Sequence, residues 1–220
     1  AKEKLPQESY KFNPKFGKIS EYIDSDFLDG HTIFDEFVTI HVRGDSFSSP
    51  NNPNTPARNA DIRSYEKAIR YIINQGLNVV RIGEYLSNGL PNINGFIDLT
   101  RYKRNHLKDI GLLANAKFHI ATASGPQNVP PLFGVPVLLT NTVRPFIQPS
   151  YPLSFAITKR CFNTKINKYM KYSDFLKSEI VLEEMRRSFG DDLFLRDNSN
   201  NEILLAVQDM FKFISLPDYE

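Results

Sequence analysis

Past residue 36 the apolar positions follow two alternating patterns. Short β-rich runs give way to stretches with helical spacing, and the cycle repeats. Phe37-Val38-Thr39-Ile40-His41-Val42 is the first run, dense in β-branched residues and suited to a buried strand. A helix is expected over 61–75, because Ile62, Tyr65, Ile69, Ile72 and Ile73 share one face. Asn59 or Asp61 can cap its start and Gly76 its end. Residues 77–82 and 95–99 read as strands two and three, and 105–115 as a helix with Leu107, Ile110, Leu113 and Ala114 inward. Strand four is expected at 118–121 and strand five at 135–139. Between them lies a short helix over 125–133, distorted or cut to one turn by Pro130 and Pro131. Later segments alternate less clearly. A strand over 153–159 and helices over 172–187 and 200–214 are expected, the last from Ile203, Val207, Phe211 and Ile214.

Strands alternating with helices imply an α/β fold, a doubly wound parallel sheet covered on both faces. In such sheets ligands bind beyond the carboxyl ends of the strands. The candidate positions are therefore His41–Asp45, Arg81–Glu84 and Thr122–Asn128. Residues 1–36 lack a sustained period and read as an arm before a domain spanning 37–220. The segment 46–60 holds three prolines and four asparagines. It reads as a long loop, a kind that tends to be functional.

Composition narrows the function classes. A net charge of +2 over 220 residues, with no long Lys/Arg run, argues against a nucleic-acid partner. The single cysteine, Cys161, forms no intrachain disulfide and reads as a packing residue. No apolar run approaches the ~20 residues of a membrane span, and the first residues lack a secretory signal, so a cytoplasmic location is expected. The absence of an initiator methionine suggests a processed chain or part of a longer one. No Gly-x-Gly-x-x-Gly, P-loop or Gly-x-Ser-x-Gly motif occurs.

Candidate chemistry clusters at the strand ends. His41 and Arg43 are two apart and share one face of the end of strand one. The planar fork of Arg43 suits a diphosphate, and Gly44 turns the chain into the long loop. Ala121-Thr122-Ala123-Ser124-Gly125-Pro126 joins a strand to a helix start, where N–H groups favour anions. There Ser124 would cap, and Gly125 would let a ligand approach the backbone. Arg58 and Asn59 are candidate ligand contacts, with a surface charge and a cap as their plain alternatives. So are Gly83, Gln127, Asn128 and Arg81, although an arginine inside an apolar strand is better explained by a carboxylate partner, Asp98 or Glu84. Asp24-Ser25-Asp26 has the spacing of a metal-binding acidic triplet but sits in the arm. His31, His106 and His119 lack ligand spacing, so no metal is expected.

The ordered segments HVRGD, RNADIRSYEKAIRYIINQGLNVVRIG and DLTRYKRNHLKDIGLLANAKFHIATASGPQNVPPLFGVPVLLTN resemble a family of bacterial glycosyltransferases from surface-polysaccharide gene neighbourhoods. The His-x-Arg strand end is similar to that of GDP-fucose-dependent fucosyltransferases. The segment around Ser124 is similar to the donor-binding segment of heptosyltransferases and of UDP-GlcNAc 2-epimerase. The resemblance implies the Rossmann-like, donor-binding half of a GT-B fold. Arg43, Thr122, Ser124 and Gly125 would hold the donor diphosphate, and His41 and Asp45 are the candidate general bases. It implies a nucleoside-diphosphate sugar as donor, a glycan or lipid-linked acceptor and no cofactor. A place at the inner face of the membrane follows from that acceptor. Gly44 and Asp45 stand where the fucosyltransferases carry a further basic residue, which argues against GDP-fucose. A length of 220 residues is short for two Rossmann-like domains, so an acceptor site from a second domain or chain is expected. A sugar-nucleotide epimerase and a non-catalytic nucleotide-sugar-binding module are the alternatives.

Overall fold

The computed structural model describes residues 34–44, 56–84, 89–103, 105–144, 154–182 and 188–215. Six strands build one sheet: β1 (Phe37–His41), β2 (Asn78–Arg81), β3 (Phe96–Asp98), β4 (His119–Ala121), β5 (Val137–Thr142) and β6 (Ser154–Thr158). All neighbouring strands run parallel, in the order β3-β2-β1-β4-β5-β6. The chain folds as an α/β, Rossmann-like doubly wound sheet, as the alternation predicts.

Helices cover both faces. On one face α1 (Glu66–Asn74) and α4 (Asn200–Ile214) bury Ile69, Ile72, Ile203, Val207 and Met210 against Val38, Ile40 and Val79. On the other, α2 (His106–Asn115) sets Leu112 and Leu113 against Phe37, Val80 and Ile97. A side chain of this size contributes roughly 1.5–3 kcal/mol when fully buried, so these two apolar layers hold the helices on the sheet. Asp61 caps the 3₁₀ turn Ile62–Tyr65 that leads into α1, its side chain accepting from Arg63 N–H. Gly76 follows α1 at φ +82°.

Three local expectations change. Leu107 and Ile110 are 80% and 43% exposed rather than inward. At about 100° per residue, the buried pair Leu112 and Leu113 points roughly 170° away from Leu107 and roughly 110° from Ile110, so α2 turns a different side to the sheet than expected. The segment after Ser124 forms two 3₁₀ turns, Gly125–Asn128 and Pro130–Phe133, because Pro126, Pro130 and Pro131 cannot donate to an α-helical ladder. The helix expected over 172–187 is short: α3 (Tyr172–Lys177) ends at Ser178, a 3₁₀ turn follows at Glu179–Leu182, and 183–187 lie outside the described residues.

A second, antiparallel sheet was not anticipated. β7 (Arg160–Asn163), β8 (Lys168–Tyr169), β9 (Ser188–Phe189) and β10 (Leu193–Arg196) pair in the order β8-β7-β10-β9. Its inner face buries Cys161 and Leu195 with Phe175, Val143 and Ala57. Burial pushes the Cys161 thiol up, in keeping with a packing role. Among the described residues no helix is long and apolar enough to cross a membrane. The arm expected at 1–36 lies almost wholly outside the described residues, as do Asp24 and Asp26.

Candidate active site

The strand order reverses direction between β1 and β4, and in such sheets the ligand crevice is expected at the carboxyl ends of these two strands. His41 ends β1 and is followed by Val42 and Arg43; Thr122, Ala123 and Ser124 follow β4. Both expected clusters thus flank one crevice. The backbones are stitched together past the last strand residues. Thr122 N–H donates to His41 O at 3.1 Å, and Arg43 N–H donates to Thr122 Oγ1 at 2.9 Å. Thr122 is fully buried and serves the crevice as a brace.

His41 Nδ1 lies 2.9 Å from Ser124 Oγ, which also donates to Thr122 O at 3.0 Å. A carbonyl only accepts, so a serine proton placed there obliges Nδ1–H to donate to Oγ. That tautomer leaves the imidazole lone pair on Nε2, the arrangement a general base requires. Gly83 makes room for this ring. Its φ is +116°, and a Cβ there would meet His41 Cδ2 at 2.6 Å and Nε2 at 2.9 Å. Gly83 was a candidate ligand contact; the structure sets it beneath the histidine.

Arg43 is 6% exposed. Its Nη1 donates to Asn59 Oδ1 at 2.6 Å, and its carbonyl accepts from Ala60 N–H at 2.9 Å. Arg58 Nε donates to Ala123 O at 2.7 Å. The segment 56–60 is thereby tied to both sides of the crevice, through Asn59 to β1 and through Arg58 to β4. Ser124 N–H, expected to face an anion, donates to Gln127 Oε1 at 3.3 Å, and the turn behind it spans only four residues. Gly125 is the open position: it is exposed, and a Cβ would meet nothing within 4 Å. Asn128 is exposed on the same turn. Asp45 lies outside the described residues.

Arg81 belongs to the frame. It is 1% exposed, and its Nη1 donates to Asp98 Oδ2 at 3.0 Å, joining β2 to β3. Asp98 also accepts from Thr100 N–H and Oγ1. His119 is fully buried, its Nδ1 2.9 Å from Thr39 Oγ1. Burial first, then the neighbouring His41, pushes it down to about 3, with the Thr39 contact opposing. It is a neutral histidine between strands. His106 is exposed on α2.

A buried polar network beside the crevice escaped sequence reading. Tyr65 Oη lies 2.7 Å from Thr140 Oγ1 and accepts from Asn141 Nδ2 at 3.0 Å. Burial pushes the Tyr65 phenol up to about 12, with the Thr140 and Asn141 contacts opposing. Asn141 and Asn198 exchange backbone-to-side-chain bonds of 2.6 Å in both directions. Asn141 takes φ +55°, which asparagine tolerates better than most residues. Lys159, also fully buried, donates to Asn59 O at 2.7 Å and to the Asp197 carboxylate. One signal was legible, the polar pair Thr140-Asn141 closing an apolar strand. Tyr65 was hidden by its place on an apolar helix face, and Lys159 by the strand it follows.

Two cavities among the described residues lie away from the switch point. One, of about 290 Å³, is lined by Phe96, Asp98, Arg101 and Tyr102. The other, of about 450 Å³, is lined by Ile157, Arg160, Tyr172 and Glu202.

No family model matches the chain, and no curated protein matches it in sequence. Solved structures do match it in shape. The fold resembles that of heptosyltransferases. The dodecameric iron-containing heptosyltransferase TibC in complex with ADP-D-β-D-heptose superposes with a TM-score of 0.50 at 16% identity, over 86% of this chain and 48% of that one. The E. coli ADP-heptose lipopolysaccharide heptosyltransferase II gives 0.50 at 15% identity, over 87% and 52%. TibC from enterotoxigenic E. coli gives 0.50 at 16%, over 84% and 47%. The chain spans about half the length of these proteins. At such identities the similarity concerns the fold.

Proposed function

We propose that this chain is the donor-binding half of a glycosyltransferase that takes its sugar from a nucleoside diphosphate without a metal ion. The observation that carries the reading is the meeting of His41 and Arg43 with Ser124 and Gly125 at one topological switch point. The shape similarity to proteins whose names specify an ADP-heptose donor supports the ligand class. In this reading Arg43 and the open backbone at Gly125 receive the diphosphate. The acceptor hydroxyl oxygen attacks the anomeric carbon, the bond from that carbon to the diphosphate oxygen breaks, and the hydroxyl proton passes to a base. Negative charge grows on the leaving diphosphate, where a fixed guanidinium lowers the barrier. His41, through Nε2, and Asp45 are the candidate bases within this chain. The acceptor is a glycan or lipid-linked sugar bound partly by a second domain or chain, reached at the inner face of the membrane. The domain extends over 37–220, with 1–36 as its arm.

Thermal-shift screening against UDP, GDP, ADP, CMP and dTDP tests the ligand class, since a ligand of the folded state raises the melting point by mass action. One nucleoside diphosphate should raise it in the presence of EDTA. No shift with any of them would contradict donor binding, and a shift that EDTA abolishes would contradict the metal-free reading.

A further inference from the structure

Lys159 is the one lysine among the fully buried side chains of the described residues. It stands directly after β6, two strands away from the switch point, and its ammonium meets two groups from distant parts of the chain. One is the Asp197 carboxylate, between β10 and α4; the other is the backbone oxygen of Asn59, at 2.7 Å. Asn59 is itself 2% exposed, and its side-chain oxygen accepts from Arg43 Nη1 at 2.6 Å. Lys159, Asn59 and Arg43 thus form a continuous chain of contacts from the junction of the two sheets to the crevice.

Stability alone gives this arrangement little reason to exist. Removing an ammonium and a carboxylate from water is costly, and well-packed apolar side chains of similar volume often do as well or better. What an ion pair supplies and an apolar contact does not is a fixed position for the groups bonded to it. Asn59 needs one. It follows the 3₁₀ turn Pro56–Arg58 at the end of a long connection, and local backbone bonding fixes it through Pro56 O at 3.1 Å. A guanidinium aimed at two phosphate oxygens tolerates little misplacement.

We infer that Lys159 is a positioning residue for the phosphate site: held by Asp197, it fixes the Asn59 backbone, and the Asn59 side chain in turn sets the Arg43 guanidinium. The inference rests on the donor-binding reading of Arg43 and adds to it a support on β6.

Two readouts on the full chain test it. The first needs no ligand: the Arg43 Nε–Hε NMR signal, identified by its loss in Arg43→Lys. In Lys159→Met this signal should move towards those of exposed arginines. The second is titration with inorganic pyrophosphate. Lys159→Met should weaken binding about 10-fold, the equivalent of about one charge-assisted hydrogen bond, and should add nothing further when Arg43→Ala is already present. A merely structural lysine would lower the melting temperature, leave the Arg43 signal of the folded protein in place, and give losses that add in the double variant. Either an unmoved signal or additive losses would overturn the inference. If Lys159→Met does not fold, Asp197→Asn is read in the same way. If the wild-type chain binds no pyrophosphate, the donor reading falls, and the Arg43 signal still decides whether Lys159 positions it.

Discussion

Gly83 and Gly76 both adopt positive φ, yet only Gly83 lies against another side chain. The pair separates backbone strain from loss of site geometry. Gly76→Ala should cost about 1–2 kcal/mol, the penalty of a left-handed conformation for an L side chain. Gly83→Ala should cost more, because the new methyl would sit 2.6 Å from the His41 ring, and it should also displace that ring from Ser124. Denaturant unfolding of both variants measures the difference; equal costs would show that His41 is not held as described. His119 gives a pH signature. Its folded pKa lies below the usual histidine value, so the unfolded chain binds a proton that the folded chain refuses. Its contribution is fully present above about pH 6.5 and is lost as pH falls towards 3. Between pH 7 and 5 it should remove roughly 2 kcal/mol of stability. Denaturant midpoints at the two pH values should fall in the wild type and fall less in His119→Gln.

At the scale of elements, α2 distinguishes a pattern from its burial. Leu107 and Ile110 fit the helical period, but α2 turns its Leu112–Leu113 side to the sheet and leaves them outward. Leu112→Ala should cost about 2–5 kcal/mol, whereas Leu107→Gln should stay within about 0.5 kcal/mol. Thermal unfolding distinguishes them, and a large loss at Leu107 would mean the helix is turned the other way. The parallel sheet was legible because its central strands are continuous apolar runs separated by amphipathic helices. The β7–β10 sheet was not, since RCFN, KY, SF and LFLR mix charged or polar residues with apolar ones and form no continuous apolar run. The same contrast applies to the crevice. His41, Arg43 and Ser124 could be located because topology alone brings strand ends together. The partners of Arg43 and Lys159 could not, because contacts across 16 and 100 residues leave no local pattern.

At the scale of the whole molecule, a six-stranded Rossmann-like sheet places Arg43 and the His41–Ser124 pair at its switch point, with Arg58 bonded to Ala123 O beside them, while Lys159 and Asn198 tie the segments around β6, β10 and α4 to Asn59 and Asn141. The account turns on Arg43 being the residue that meets the distal phosphate of a donor. Calorimetric titration of folded wild-type and Arg43→Ala protein, with a nucleoside diphosphate and the matching monophosphate, tests this most directly. The diphosphate should lose roughly 2–5 kcal/mol of binding free energy in the variant and the monophosphate clearly less, with Arg43→Lys recovering only part because a point charge lacks the bidentate fork. Equal losses for the two ligands, or none for either, would make Arg43 a support for Asn59 alone and contradict the account.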